Sequence, residues 1–327
     1  MLKLAIVMPV FNDWTSVSQL VGALENMAAS TDLQLSVFAV DDGSIEAKLI
    51  AYPLQTLNRI REVEIIDLIC NLGHQRAIAV GLVEVYERKE FDAVLIMDSD
   101  GEDRPDDIPR LIDELRRKPQ HIVCAQRRQR PGLFLFRAWY GCYKLIFRLL
   151  TGARIDFGNF CLIPSNRLEA IVSNSSLWNH LAATLARSRL PLARLALDRG
   201  RRYAGKSKMN FVSLVTHGLS AMAVYSDIVM VRLLLGTLVV SALTIFGIFW
   251  VSFIRLYTTM AIPGWATTAA GILFTILAQA LMLFTIACFN IINARSARVV
   301  IPRLDALSFV SSRRKLLPIS RAAEVAE

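Results

Sequence analysis

Ala93-Val94-Leu95-Ile96-Met97 runs straight into Asp98-Ser99-Asp100-Gly101-Glu102-Asp103. Five consecutive apolar residues have the length and composition of a strand buried on both faces. The carboxylates at 98, 100, 102 and 103 then crowd the point where such a strand ends, and open α/β sheets bind ligands there. Crowded carboxylates repel one another unless a cation sits among them. An all-oxygen set suits a hard ion, Mg²⁺ or Mn²⁺, which also grips phosphate. Asp98 and Asp100, with Glu102 beside them, are the expected metal ligands. A second acid pair, Asp41-Asp42, closes the apolar run Leu35 to Val40 and can accept hydrogen bonds from a base N–H or ribose hydroxyls. A nucleoside diphosphate fits both clusters, and a metal that neutralises the diphosphate makes it a leaving group. The predicted chemistry is group transfer from a nucleotide-linked donor.

Strands alternating with helices are needed to bring these acids to one rim. Strands are predicted over 2–8, 35–40, 62–68, 93–97 and 122–125, with helices over about 15–29, 74–89 and 105–118. That alternation predicts a doubly wound, mostly parallel sheet. Asp156 precedes a further predicted strand near 157–162, and a helical segment follows over 166–188. Asp156 reads equally as a group that orients the acceptor or as a turn residue capping a strand end.

The chain has 327 residues, 54 % of them apolar, and a net charge of +9. Much of the charge flanks two long apolar spans. Leu233 to Ile254 and Trp265 to Ile292 are free of charge and long enough to cross a hydrocarbon core of about 30 Å. The segment 294–327 carries seven Lys/Arg against three acids, which predicts a cytoplasmic C-terminus and, with two crossings, a cytoplasmic N-terminal domain. The chain opens directly on a strand, so no signal peptide is expected. Five cysteines without Cys-x-x-Cys spacing indicate neither a disulfide framework nor a zinc site.

Two basic stretches stand apart. Arg127, Arg128, Arg130 and Arg137 lead into an aromatic helix over 127–155, and Arg199, Arg201, Arg202, Lys206 and Lys208 precede an amphipathic helix from Phe211 to Ser226. The first reads either as a mixed helix face or as a surface that meets phosphate and lipid together. Cations in the second would hold an anionic group at the membrane surface, and a lipid monophosphate is the natural candidate. Nucleic acid is not expected as a partner. No Gly-x-x-x-x-Gly-Lys-Ser/Thr or Gly-x-Gly-x-x-Gly loop is present, which excludes the patterns of P-loop NTPases and dinucleotide dehydrogenases.

Val7-Met8-Pro9-Val10-Phe11-Asn12-Asp13, Val40-Asp41-Asp42-Gly43-Ser44, Asn71-Leu72-Gly73-His74-Gln75-Arg76-Ala77 and Met97-Asp98-Ser99-Asp100 resemble family 2 glycosyltransferases of GT-A fold. Asp156-Phe157-Gly158-Asn159-Phe160 and Arg202-Tyr203-Ala204-Gly205-Lys206-Ser207-Lys208, followed by two spans, resemble the polyisoprenyl-phosphate branch, which includes dolichyl-phosphate mannose synthase and undecaprenyl-phosphate sugar transferases. The resemblance implies that Pro9, Phe11, Asp41, Asp42, Asp98 and Ser99 bind the nucleotide. Asp98, Asp100 and Glu102 would hold the metal, with Asp156 at the reacting sugar. Arg127, Arg128 and Arg130 would face diphosphate or lipid phosphate, and Arg202, Ser207 and Lys208 the acceptor phosphate. Glu102 stands where the family usually has Gln, Asp13 where Glu is common, and a Ser often seen in the aromatic helix is absent.

The implied architecture is a catalytic domain over 1–210, an interfacial helix over 211–227, a transmembrane hairpin over 228–293 and a basic cytoplasmic tail over 294–327. The implied reaction moves a hexose from a UDP- or GDP-sugar to polyprenyl phosphate at the inner membrane, and the apolar spans leave room for a homo-oligomer. Two other readings share part of this pattern. A processive polysaccharide synthase would carry a Gln-x-x-Arg-Trp motif and more spans, whereas none of the five tryptophans here follows an arginine. A non-catalytic nucleotide-sugar sensor would have no use for intact acid clusters.

Overall fold

A computed structural model of the protein describes residues 1–46, 48, 50, 53, 54, 57–127, 134–205, 211–258, 264–296 and 298–317. It divides into two compact units, Met1–Leu133 with Ala153–Val224 and Val299–Glu327, and Phe134–Gly152 with Tyr225–Arg298.

The first unit is built on one sheet. Its strands are Leu2–Val10 (β1), Leu33–Asp41 (β2), Ile60–Leu68 (β3), Ala93–Ile96 (β4), Ile122–Arg127 (β5), Phe157–Pro164 (β6), Leu192–Leu197 (β7) and Val310–Leu317 (β8). Their order is β7-β5-β6-β4-β1-β2-β3-β8. The pairs β1–β2, β1–β4, β2–β3 and β5–β7 are parallel, while β6 is antiparallel to β4 and β5, and β8 is antiparallel to β3. The sheet is therefore mixed, with a parallel centre.

Parallel neighbours need crossovers, and Trp14–Ala29 (α1), His74–Arg88 (α2) and Ile108–Arg117 (α3) supply them. Alternate residues of β1 divide the core. Leu4, Ile6 and Met8 pack with Val17, Leu20 and Leu111 on one face, and Ala5 and Val7 with Ile78 and Leu82 on the other. Gly81 lets α2 lie close on the sheet, since a Cβ there would collide with Val7 and Val40.

The parallel centre sends Val10, Asp41 and Met97 out at one rim. β6 reaches that rim from the opposite direction. Ile96 lies opposite Cys161, so residues 157–160 extend past the end of β4. The topology thus gathers the loops after β1, β2 and β4 with the start of β6.

Three local expectations changed. The helical segment over 166–188 is broken into Ser165–Val172 (α5, after Phe134–Thr151, α4), a 3-10 turn at Ser175–Trp178 and Leu181–Arg187 (α6). Asn174 stops the helix because its side chain accepts from the Ser176 N–H at 3.0 Å. Leu192–Leu197, where no strand is predicted, is the edge strand β7. The third change concerns the segment read as a tail. Residues 310–317 form β8, and its cations are spent on acids. Arg313 pairs with Glu84 at 3.0 Å, Arg314 with Asp67 at 3.1 Å and Lys315 with Glu62 at 2.8 Å.

The second unit contains α4 and two 32-residue helices, Ser226–Tyr257 (α8) and Trp265–Ser296 (α9), with Phe211–Ala223 (α7) preceding them in the first unit. By length and composition both long helices suit a membrane span, and few of their residues are buried. The Arg232 guanidinium donates to the Leu149 carbonyl at 2.6 Å, tying α8 to the end of α4. Phe246, Trp250, Phe253 and Tyr257 stack in succession along the exposed side of α8.

Candidate active site

The loop after β2 is braced from two sides. Asn12, at φ 49°, donates its backbone N–H to Ser44 Oγ at 2.8 Å, and its Oδ1 accepts from Ile45 N–H at 2.8 Å. Asp42 accepts from Leu72 N–H at 2.7 Å and from Gly73 N–H at 3.0 Å, so both its oxygens hold the turn that opens α2. Burial pushes the Asp42 carboxyl above its usual range, and those two N–H groups offset part of the rise. Asp41 is different. It is 1 % exposed, and its Oδ2 takes Lys48 Nζ at 2.6 Å and the Ser44 N–H at 3.2 Å. Its Oδ1 is buried with no hydrogen-bond partner among the described residues. A buried acceptor left open is costly unless a ligand donor fills it. Phe11 stands 40 % exposed at the end of β1, whereas Pro9 is buried within that strand.

The turn after β4 is folded on itself and covered. Asp103 Oδ2 accepts from the Asp98 N–H at 2.9 Å, and Asp100 Oδ1 from the Glu102 N–H at 2.9 Å. Ser99 is buried between them. Residues 199–204 lie across this turn. Gly200 N–H donates to Glu102 O at 2.8 Å and Tyr203 N–H to Asp100 O at 2.9 Å. Gly101 sits at φ 83°, and a Cβ there would collide with the Tyr203 ring. The Arg202 guanidinium donates to Asp100 Oδ2 at 2.9 Å and to Asp13 Oδ2 at 2.8 Å. Arg199 is ion-paired with Glu102.

Asp98 is approached from the opposite side by α2. His74 Nε2 lies 3.4 Å from Asp98 Oδ1 and 2.9 Å from Asn159 Nδ2. Asn159 Oδ1 accepts from Gln75 Nε2 at 3.2 Å, and Gln75 Oε1 from the Leu181 N–H at 2.7 Å. The last donor is a backbone amide, so it fixes the direction of the whole row. Neighbouring His180 accepts from Ala183 N–H through Nδ1 at 3.3 Å, so its Nε2 carries the proton and donates to His217 Nε2 at 3.1 Å. Burial, together with His217 and His74, lowers His180 to about 3; burial lowers His217 as well. His74, Gln75 and Asn159 lie within the motifs but have no predicted role. Their polar side chains beside a strand end were the available signal.

Asp156 immediately precedes β6 and is held by two groups, Gln126 Nε2 at 2.9 Å and Arg194 Nε at 3.0 Å. Arg127 ends β5, with its side chain outside the described residues, as are Arg128, Arg130, Ser207 and Lys208.

The fit of a divalent ion can be judged from the donors. Asp98 and Asp100 present carboxylates from one turn, and Mg²⁺-like ions commonly take one or two carboxylates plus substrate phosphates. Glu102 is ion-paired with Arg199, as Asp100 is with Arg202. Among the described residues no three His, Cys, Asp or Glu side chains form a ready-made metal cage. The residues fit an ion that arrives with a diphosphate.

Residues 5–170 match the model of Glycosyl transferase family 2. The chain belongs to this family. It is a glycosyltransferase with a GT-A-type sheet, as its motifs led us to expect. Among curated relatives, the chain is 29 % identical over 159 residues to dodecaprenyl-phosphate galacturonate synthase of Rhizobium johnstonii, covering 48 % of this chain and 46 % of the relative. It is 24 % identical over 269 residues to undecaprenyl-phosphate 4-deoxy-4-formamido-L-arabinose transferase of Proteus mirabilis, covering 76 % and 79 %. Among solved structures, glucosyl-3-phosphoglycerate synthase from Mycobacterium tuberculosis, in complex with Mn²⁺, UDP-glucose and phosphoglyceric acid, superposes with a TM-score of 0.47 at 14 % identity, covering 69 % of this chain and 79 % of that one.

Proposed function

We propose that this glycosyltransferase moves a hexose from a nucleotide sugar to a polyprenyl phosphate at the cytoplasmic face of the inner membrane, inverting the anomeric carbon. The observation that carries the reading is the contact between Arg202 and Asp100. A cation from the segment expected to hold the acceptor phosphate reaches the acid expected at the donor diphosphate. The two relatives named for polyprenyl-phosphate transfer support the acceptor class.

In this reading the nucleotide lies along the rim. Asp41 Oδ1 takes a donor from the base or ribose, Phe11 offers an apolar face to the base, and Pro9, Asp42 and Ser99 shape the pocket around it. Asp98 and Asp100 would hold Mg²⁺ or Mn²⁺. When bound, the ion supplies charge neutralisation for the departing diphosphate. Arg202, Ser207 and Lys208 hold the acceptor phosphate, with Arg127, Arg128 and Arg130 facing it or the diphosphate. The acceptor oxygen is already ionised, so no proton need move. Its bond to the anomeric carbon forms as the bond to the diphosphate oxygen breaks, and that electron pair leaves with the nucleoside diphosphate. Asp156, fixed by Gln126 and Arg194, orients the reacting sugar.

Topology follows the same reading. We place the catalytic domain over 1–210, completed by β8 from the C-terminal segment, the interfacial helix over 211–227 and the hairpin over 228–293. β3 and β8 share one sheet from opposite sides of α8 and α9 in the sequence. A sheet cannot be shared across a bilayer, so the number of crossings between them is even, which supports a hairpin with both flanks cytoplasmic.

The test incubates purified full-length protein, Mg²⁺ or Mn²⁺ and a short polyprenyl phosphate with a panel of nucleotide sugars, and follows nucleoside diphosphate release. Lipid-dependent release with one donor is expected. Release indifferent to lipid would overturn the acceptor assignment.

A further inference from the structure

Asp41 does not stand alone at the rim. Asp41 and Asp67 lie opposite each other on the adjacent parallel strands β2 and β3. Two carboxylates so placed would repel, and Lys48 resolves this by setting its ammonium 2.6 Å from Asp41 Oδ2 and 2.6 Å from Asp67 Oδ1. Asp67 is gripped from its other side by β8. Ser312 Oγ donates to Asp67 Oδ2 at 2.5 Å, and Arg314 Nε at 3.1 Å. A row therefore runs Ser312 and Arg314, Asp67, Lys48, Asp41, and its last oxygen is the one left open.

We propose that Lys48, Asp67, Ser312 and Arg314 are positioning residues for donor binding, through which β8 fixes the carboxylate of Asp41 against the nucleotide. This rests on the reading of the rim as the nucleotide site and adds to it a contribution from the far end of the chain. Burial alone would raise the Asp67 carboxyl and lower the Lys48 ammonium. Their mutual hydrogen bonds, with those from Ser312 and Arg314 to Asp67 and from Lys48 to Asp41, reverse both trends and keep Asp67 and Lys48 ionised. Anchoring from both sides restricts the rotamers of the row. Freed of Lys48, Asp41 would face Asp67 with no cation between them and lose the fixed direction of Oδ1.

The experiment titrates UDP and GDP into the full-length protein in detergent micelles by calorimetry, alongside steady-state kinetics. Hydrogen bonds to charged groups predict that Lys48→Met weakens the nucleotide that binds by about tenfold, with Ser312→Ala/Arg314→Gln weakening it by a similar factor. Because all act through one row, the triple variant should be no weaker than Lys48→Met alone. The donor KM should rise while kcat and the lipid KM stay within about twofold, and Lys48→Arg should restore much of the affinity. Unchanged nucleotide affinity in Lys48→Met or in the β8 variant would overturn the inference, as would losses that multiply in the triple variant. A variant that melts early yet binds normally would do the same, marking the row as structural only. If the unaltered protein binds neither nucleotide, the donor reading itself falls, and this inference with it.

Discussion

Arg202 donates to Asp100 at 2.9 Å although 102 positions separate them in the chain. The same guanidinium holds Asp13 at 2.8 Å, so one cation joins the start of α1, the turn after β4 and the segment before α7. An arginine fork held by two carboxylates is oriented before any substrate arrives.

Arg202→Ala should raise the KM for lipid acceptor by about tenfold or more while changing nucleotide affinity by less than about threefold. Arg202→Lys keeps the charge and loses the fork, and should fall between. Equal losses toward both substrates, measured by calorimetry and by acceptor titration, would mean that Arg202 serves the donor.

Asp100→Ala removes an expected metal ligand and the anchor of Arg202 together, and Asp100→Asn keeps only the hydrogen-bonding shape. Both should lose at least about 100-fold in kcat, since metal neutralisation of a leaving diphosphate is worth several kcal/mol. Excess EDTA should abolish transfer by the unaltered enzyme, and Mg²⁺ or Mn²⁺ should restore it. Full activity in EDTA would remove the ion from the reaction.

The His180–His217 pair predicts an acid-sensitive fold. His180 is lowered to about 3 from its ordinary 6.5, so the folded state favours the neutral ring. Its contribution is complete above pH 6.5 and is lost as the pH falls toward 3. By pH 5.5 the loss from this one group is about 1.4 kcal/mol. The melting temperature of the full-length protein should therefore fall between pH 7.5 and 5.5. The double variant His180→Gln/His217→Gln should begin lower but fall less over that range. Parallel curves would show that the pair carries none of the pH dependence.

Gly101→Ala meets two obstacles, a backbone at φ 83° and the Tyr203 ring. We expect a destabilisation of about 1–3 kcal/mol, seen as a lowered melting temperature. Adding Tyr203→Ala should recover the steric share and leave the backbone share. No recovery would mean that the strain lies wholly in the backbone.

The alternating strands and helices of the first 130 residues were legible because both signals are local. Apolar runs mark the strands, and the acids at their ends mark the rim. β8 was not legible for the opposite reason. Ser311-Ser312-Arg313-Arg314-Lys315 has the composition of a solvated or lipid-facing tail, and its partners Glu62, Asp67 and Glu84 lie more than 220 positions earlier. β7 was obscured by half-exposed alternation at a sheet edge. Asp41 and Asp42 look interchangeable in sequence, yet the structure separates them. One spends both oxygens on a turn, and the other keeps an oxygen open. The ion pair between Glu102 and Arg199, 97 residues on, is likewise invisible to a local reading.

The place of β8 has a consequence for synthesis. β3 is complete at residue 68, but the strand that covers its outer edge begins only at residue 310. At elongation rates of about 5–20 residues per second, that edge waits roughly 12–50 seconds for its neighbour. Throughout this time Glu62, Asp67 and Glu84 lack the additional cations that β8 brings, and unpaired backbone N–H and C=O groups face other nascent chains. Both long apolar helices are completed within the same interval. Maturation of the sheet is thus timed by completion of α8 and α9, and a message truncated after α9 would release a protein with a permanently open seam.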